Sequence, residues 1–345
     1  MDNRELEIIE IIKKKQELSS KEVFDNITTT ISYATVKRVI AKLVEENLLI
    51  RKGYGKSTKY LISPSFEILY PIDINEYYEK EIDQRKIKDG FNFELIPQIL
   101  SKCVLFSKNE LEELNLHQKK FETNISQLSK IEYRNELERL AIDLSWKSSQ
   151  IEGNTYTLLE TERLIKDRVT AAGKTKEEAI MLLNHKDAID FIFENPDYLT
   201  LLSISKIEDI HSLLIKDLDV DKNIRKRRVG ISGTNYRPLD NEFQIHEALL
   251  SMCELVNNKE NVFEKALLLL VLISYIQPFV DGNKRTARII SNAILMSNKY
   301  CPISFRTIDP IEYKKAMLLF YEQNNISIFK AIFINQFKFA VSTYF

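Results

Sequence analysis

Glycine and proline are scarce in this chain, eight of each in 345 residues, and that scarcity disfavours an all-β fold, which needs many turns. There are only three cysteines, at 103, 253 and 301. They lie far apart and in no metal-ligand spacing, so neither a disulfide framework nor a zinc site is expected, and the reducing cytoplasm is the default compartment. Net charge is nearly absent: 49 Lys and Arg against 50 Asp and Glu leave −1. No whole-molecule field therefore points to nucleic acid or membrane, and any nucleic-acid binding must be local. The longest apolar run, ALLLLVLISYI at 266–276, is shorter than the roughly 18 to 20 residues that span a bilayer; it reads as a buried helix. The opening MDNRELEIIEIIKKK mixes acids and bases and has no apolar signal core.

What is present is mostly helical periodicity, over a length that suits two or three domains. Residues 1–63 read as a unit. RELEIIEIIKKK is an amphipathic helix, Ser19 and Ser20 are caps for a second, and SYATVKRVIAKLVEENLL is a longer helix with Val36, Val39, Ile40, Leu43 and Val44 on one face. LLIRKGYGKSTKYLIS then gives two β-prone runs around Gly53-Tyr54-Gly55. This order resembles the winged version of the helix-turn-helix. Lys37, Arg38, Lys42, Arg51, Lys52, Lys56 and Lys59 face only Glu45 and Glu46 over the same stretch, which places cations where DNA phosphates would be met. A protein-docking or dimerisation role stays open, and with it a homodimer. Residues 64–133 read as a connecting helical segment packed on the next domain, and 134–345 as that domain, nearly all helix with a hairpin expected around 227–240.

The stretch with chemistry is YIQPFVDGNKRTARII at 275–290. Asp281-Gly282-Asn283 is a turn running straight into a helix whose buried side carries Ile289, Ile290, Ala293 and Ile294. First-turn N–H groups lack intrahelical partners and the helix dipole adds positive potential, so anions are attracted there. Arg285 and Arg288, three residues apart, share a face and can each fork onto a phosphate. Asp281 is placed to hold Mg²⁺ against phosphate oxygens, and Gly282 to let the backbone approach a ligand. The plain alternative is a turn followed by a solvated basic face.

PFVDGNKRTAR resembles the core motif of the Fic family, H-P-F-x-[DE]-G-N-[GK]-R-x-x-R, at every position but the first, where Gln277 stands. SSQIEG at 148–153 is similar to that family's inhibitory motif, [ST]-x-x-x-E-[GN], with Ser148, Glu152 and Gly153 in place, and VGISGTNYRPL at 229–239 to its flap. The resemblance covers roughly 64–345. It implies a mainly α fold, an all-helical Fic domain with a small β-hairpin flap, preceded by the winged helix.

The same resemblance implies transfer of AMP from ATP to a Ser, Thr or Tyr hydroxyl of a target protein or of the chain itself. Asp281 would bind Mg²⁺; Gly282, Asn283, Lys284 and Arg285 would form the anion hole, and Arg288 would hold the γ-phosphate. Val229, Gly230, Ile231, Ser232, Gly233, Thr234 and Tyr236 would align the target backbone. Glu152, at the end of a helix carrying Leu137, Leu140, Ala141 and Leu144, would pair with Arg288 and inhibit.

The family's histidine takes the hydroxyl proton, and an amide at 277 has no accessible basic pKa, so transfer is expected to be weak or abolished. Either an active site has been inactivated here or the natural protein has lost transfer. His117, His185, His211 and His246 are read as structural. An ATP-sensing DNA-binding regulator and, because of Lys284, a Doc-like kinase stand as alternatives. No membrane is expected as partner.

Overall fold

The computed structural model describes residues 2–345 apart from Lys86 and Asp89, and of Lys56 only the backbone. The helices are α1 (Asn3–Lys15), α2 (Ser20–Asn26), α3 (Tyr33–Glu45), α4 (Phe66–Leu69), α5 (Ile74–Glu79), α6 (Lys108–Gln127), α7 (Lys130–Ile151), α8 (Leu158–Asp167), α9 (Lys176–Glu194), α10 (Ile204–Leu214), α11 (Glu242–Asn258), α12 (Val262–Ile276), α13 (Asn283–Ser297), α14 (Pro310–Gln323) and α15 (Ser327–Thr343). The strands β1 (Leu49–Lys52) and β2 (Lys59–Ile62) complete the order. Helix starts follow from local chemistry. Asp2, Ser19, Ser107, Ser129, Thr157 and Thr175 each cap a helix whose third residue is a glutamate that bonds back to the cap. Such a cap is worth about 1 kcal/mol.

In the winged helix, β1 and β2 pair antiparallel, with Leu49 opposite Ile62 and Lys52 opposite Lys59, and Leu18 bridges to Tyr60. Ile8, Ile12, Val36, Ile40 and Leu43 are buried. This unit does not stand apart: one hydrophobic core runs from it through Phe66, Leu69, Leu105 and Phe106 into α12. Asn47, just past α3, donates to the carbonyls of Phe106 (2.9 Å) and Val104 (3.3 Å).

The apolar run at 266–276 is, as its composition implies, a helix buried on all sides. α12 packs most extensively on α13, and α7, α9 and α10 surround α13 while α14 lies on α12. The turn between α12 and α13 is therefore held from several directions. No helix among the described residues is long and apolar enough to cross a membrane.

The mainly helical fold expected from periodicity is the fold adopted, with one small antiparallel hairpin. That hairpin is the wing, and it is the only sheet among the described residues. The flap is not a second one. Residues 228–240 carry no strand or helix, only a turn at Ser232–Gly233, and the two arms are tied to the body instead of to each other. Arg225 holds the first arm by donating to the carbonyl oxygens of Gln277 and Arg227. Tyr236 holds the second by donating from its hydroxyl to the Tyr275 carbonyl at 3.1 Å. Val229 and Ile231 alternate as strand residues do, but have no cross-strand partners.

Candidate functional site

α12 ends at Gln277, which takes a left-handed conformation (φ 52°, ψ 58°). A non-glycine residue there costs of order 1 kcal/mol, and three bonds offset it. The Gln277 carbonyl accepts from Arg225 Nε at 2.6 Å, its Nε2 donates to Ser274 O at 2.6 Å, and its Oε1 accepts from Asn283 Nδ2 at 2.9 Å. The side chain is thus committed to holding the chain reversal.

Asn283 does the same from the other side: its Oδ1 accepts from Phe279 N at 2.9 Å and its Nδ2 donates to Phe279 O at 2.8 Å. The Asn283 side chain, expected in an anion hole, braces the turn, leaving its backbone N–H for an anion. Gly282 is also required from within. It sits at φ +82°, and a Cβ there would meet the His211 ring at 3.3 Å, so the turn also approaches α10 closely.

His211 stacks on Phe279 with ring centroids 3.6 Å apart and planes within 3°, and its Nε2 lies 3.0 Å from the Asp281 carbonyl. Burial pulls its pKa down to about 4 against the opposing pull of the Asp281 and Lys222 carbonyls, so the ring is neutral at pH 7 and donates to Asp281 O. His185 is fully buried, with Nε2 2.6 Å from Ser148 Oγ. Burial first, then Arg288 and Arg285, push its pKa well below 6.5. Neither ring lines the cleft, so neither stands in for a base at 277.

Both histidines bind a proton in the unfolded chain near pH 6.5 that the folded chain refuses, so stability is complete above that pH and falls as pH drops toward about 4. Urea melts at pH 7 and 4.5 should differ by of order 2 kcal/mol from His211, and His211→Gln should flatten the curve in that window. An unflattened curve would assign the acid sensitivity to carboxylates alone.

Lys284 and Arg288 meet a single carboxylate 132 and 136 residues upstream. Glu152 is the C-terminal cap of α7, followed by Gly153 at φ +98°. Arg288 Nη2 donates to Glu152 Oε1 at 2.7 Å and Lys284 Nζ to Oε2 at 2.8 Å. Arg288 also holds Ser148, through Nε to Oγ at 2.8 Å and Nη2 to the carbonyl at 3.0 Å. Burial would raise the Glu152 pKa, but Arg288 and Lys284 outweigh it and hold the group at about 2. Arg285 pairs with Asp281 at 2.8 Å.

Arg285 Nε and Nη1 and Arg288 Nη1 are buried donors without a partner in the chain. Leaving such donors unmade costs about 1–3 kcal/mol each, and oxygens of a polyphosphate fit them. Asp281, with its side chain 61% exposed, is one carboxylate beside this anion site, which suits Mg²⁺ shared with phosphate. No group of three acidic, His or Cys ligands occurs among the described residues.

A cleft of about 300 Å³ opens beside these groups; Glu152, Asp281 and Lys284 line it, while Arg285 and Arg288 are buried next to it. Its floor is Gln277 and 281–284, one wall is Gly230, Ile231 and Ser232, and the opposite wall is α14. Thr234 and Tyr236 turn inward and are buried, so of the flap residues Gly230–Ser232 are the ones at the cleft.

In the winged helix Lys37 and Arg38 are exposed on α3, Lys37 over the Tyr33 ring at 4.9 Å. Arg51 lies 5.9 Å from the Tyr54 ring, and Lys52 pairs with Glu17 at 3.1 Å. Lys42 differs from the expected phosphate contact: its ammonium is taken by buried Glu5 and by Glu46. The Lys56 side chain lies outside the described residues.

Residues 201–295, which hold the Asp-Gly-Asn turn, the paired arginines and the flap, match the Fic/DOC family model. Residues 2–67 match the penicillinase repressor model. Similar curated proteins include protein adenylyltransferase fic-1 of Caenorhabditis elegans, 25% identical over 171 residues (47% of this chain, 33% of that protein). Another is protein adenylyltransferase Fic of Nematostella vectensis, 27% identical over 176 residues (49% and 40%). The match thus spans well under half the length of these relatives.

Among solved structures, a fragment of C. elegans Fic-1 superimposes with a TM-score of 0.60 at 19% identity, over 68% of this chain and 72% of that one. A Fic domain-containing signalling protein from Bacteroides thetaiotaomicron gives 0.58 at 18%, over 67% and 95%. The shared fold extends well beyond residues 201–295.

Proposed function

We propose that the cleft binds ATP with Mg²⁺ as a Fic-type protein adenylyltransferase site, held shut by Glu152 and left with weak or no transfer by Gln277. The observation that carries this reading is the bridging of Glu152 across Arg288 and Lys284, beside buried guanidinium donors that nothing in the chain satisfies. A carboxylate there occupies the place a terminal phosphate would take and neutralises the cations that would receive it. Mg²⁺ at Asp281 supplies charge neutralisation of the phosphates. The backbone N–H groups at the start of α13 and Arg285 orient the α- and β-phosphates, and the flap lays the target's main chain beside Gly230–Ser232. Because Glu152 stays ionised down to about pH 2, competition by nucleotide, not acidification, opens the site.

Glu152→Gly tests this reading. Calorimetry with ATP and Mg²⁺ should show tighter binding, by about tenfold or more for release of two charge-assisted bonds, without efficient AMP transfer while Gln277 remains. Unchanged affinity would remove Glu152 from the nucleotide site.

A second reading, an ATP-sensing DNA-binding regulator, is favoured by the full commitment of Gln277 to the chain reversal and by the match of 2–67 to a repressor model. If α3 meets DNA, replacing Lys37 and Arg38 should flatten the slope of log affinity against log salt by up to about two. No DNA affinity at low salt would leave the winged helix a protein-docking module.

A further inference from the structure

Arg85 lies in the segment between winged helix and helical body, outside the stretch matched by the Fic/DOC family model, yet its two partners are chain neighbours of residues in both walls of the cleft. Its side chain is 5% exposed. Nη2 donates to the carbonyl of Gly233 at 2.8 Å, and Nη1 lies 3.4 Å from Oε1 of Glu322, which is fully buried on α14. Glu322 is held in turn by the Tyr77 hydroxyl at 2.6 Å, and the Tyr78 ring packs under the guanidinium at 5.0 Å.

The held carbonyl is one residue past Ser232, and Gly230–Ser232 form one wall of the cleft. The other wall is the α14 face bearing Tyr313, Met317 and Leu318. At the flap turn, Gly233 takes φ +90°, and a Cβ there would press on Leu318 Cδ1 at 3.2 Å, so the flap already sits against α14. Asn235 makes a parallel tie to Asp83 at 2.9 Å.

With no ladder between the flap's arms, outside ties must fix the height of the flap above the anion site. We propose that Arg85 is a positioning residue for the flap: its guanidinium fork spans Gly233 O and Glu322 and so sets the width of the nucleotide cleft from a segment that supplies no group to the cleft itself. A planar guanidinium places one hydrogen bond on Gly233 O and, through its other terminal nitrogen, an ion pair with Glu322; a lysine's single ammonium cannot serve both in the same geometry.

The test separates positioning from simple packing. Tryptic cleavage at the exposed Arg227 and Arg228, where the flap begins, is compared in Arg85→Gln and Tyr77→Phe, since the second loosens Glu322 without touching the flap. Arg85→Gln should speed cleavage there by about tenfold or more, Tyr77→Phe should not, and Arg85→Lys should fall between. If Arg85→Gln fails to fold because Glu322 is stranded, Arg85→Gln/Glu322→Gln strands no charge and carries the same comparison. Unchanged flap cleavage alongside equal losses of melting temperature in the Arg85 and Tyr77 variants would overturn the proposal. A second arm rests on the nucleotide reading above: in the Glu152→Gly background, Arg85→Gln should weaken ATP–Mg²⁺ binding by about tenfold. If ATP binds none of these proteins, that reading fails while the cleavage comparison still decides the role of Arg85.

Discussion

Gln277→His combined with Glu152→Gly is expected to transfer AMP from labelled ATP to itself or to a protein in a lysate, at a rate about 10²–10⁴-fold above Glu152→Gly alone, the range that a general base contributes. The geometry at 277 makes histidine a fair replacement. Gln277 Nε2 already donates to Ser274 O at 2.6 Å, and an imidazole N–H finds the same acceptor, which fixes its tautomer and leaves the other nitrogen basic. The left-handed backbone is braced by Arg225 through the main chain, so that support survives the exchange. Gln277 offers nothing equivalent, because its oxygen is taken by Asn283 and an amide does not accept a proton near neutral pH. Silence in the double variant, with ATP still bound, would favour the regulator over the transferase.

Arg285→Ala should weaken ATP binding by about 10- to 100-fold, the loss of one charge-assisted contact to phosphate. Arg285 is only 1% exposed, with Nε and Nη1 unpartnered in the chain, so its removal takes donors from the site and also releases Asp281 from their 2.8 Å pair. Calorimetry with and without Mg²⁺ separates the two effects, since loss of phosphate donors persists when the metal is withheld. An unchanged affinity would place the nucleotide elsewhere.

Legibility of the site in the sequence divided along the range of the contacts. Local rules carried the helix cap at Ser19, the buried α12 and the wing, because caps, burial and hairpin pairing act within a few residues. The meeting of Glu152 with Arg288 was expected from motif resemblance, not from spacing, for the two lie in α7 and α13. His211, His185, Arg225 and Arg85 carried no signal: each acts on a partner about 37 to 148 residues away, and a lone polar residue on a helix or loop has no periodicity to announce it. The flap misled because alternation at Val229 and Ile231 is the same whether a strand pairs with its own return arm or hangs from side-chain ties. Asn283, Gly282 and Lys42 were sound as polar, small or basic positions, but the side chains of Asn283 and Lys42 turn to the chain itself, and the space beside Gly282 is taken by His211.

The core shared by the winged helix and α12, closed by Asn47, bears on reach. A domain on a flexible linker samples a sphere of positions at an effective concentration set by linker length. Here the Arg38-bearing face of α3 and the cleft floor belong to one packed body, so the angle between them is part of the fold. On a fixed support such as a DNA groove, the cleft would point in one direction and act only on partners presented from that side.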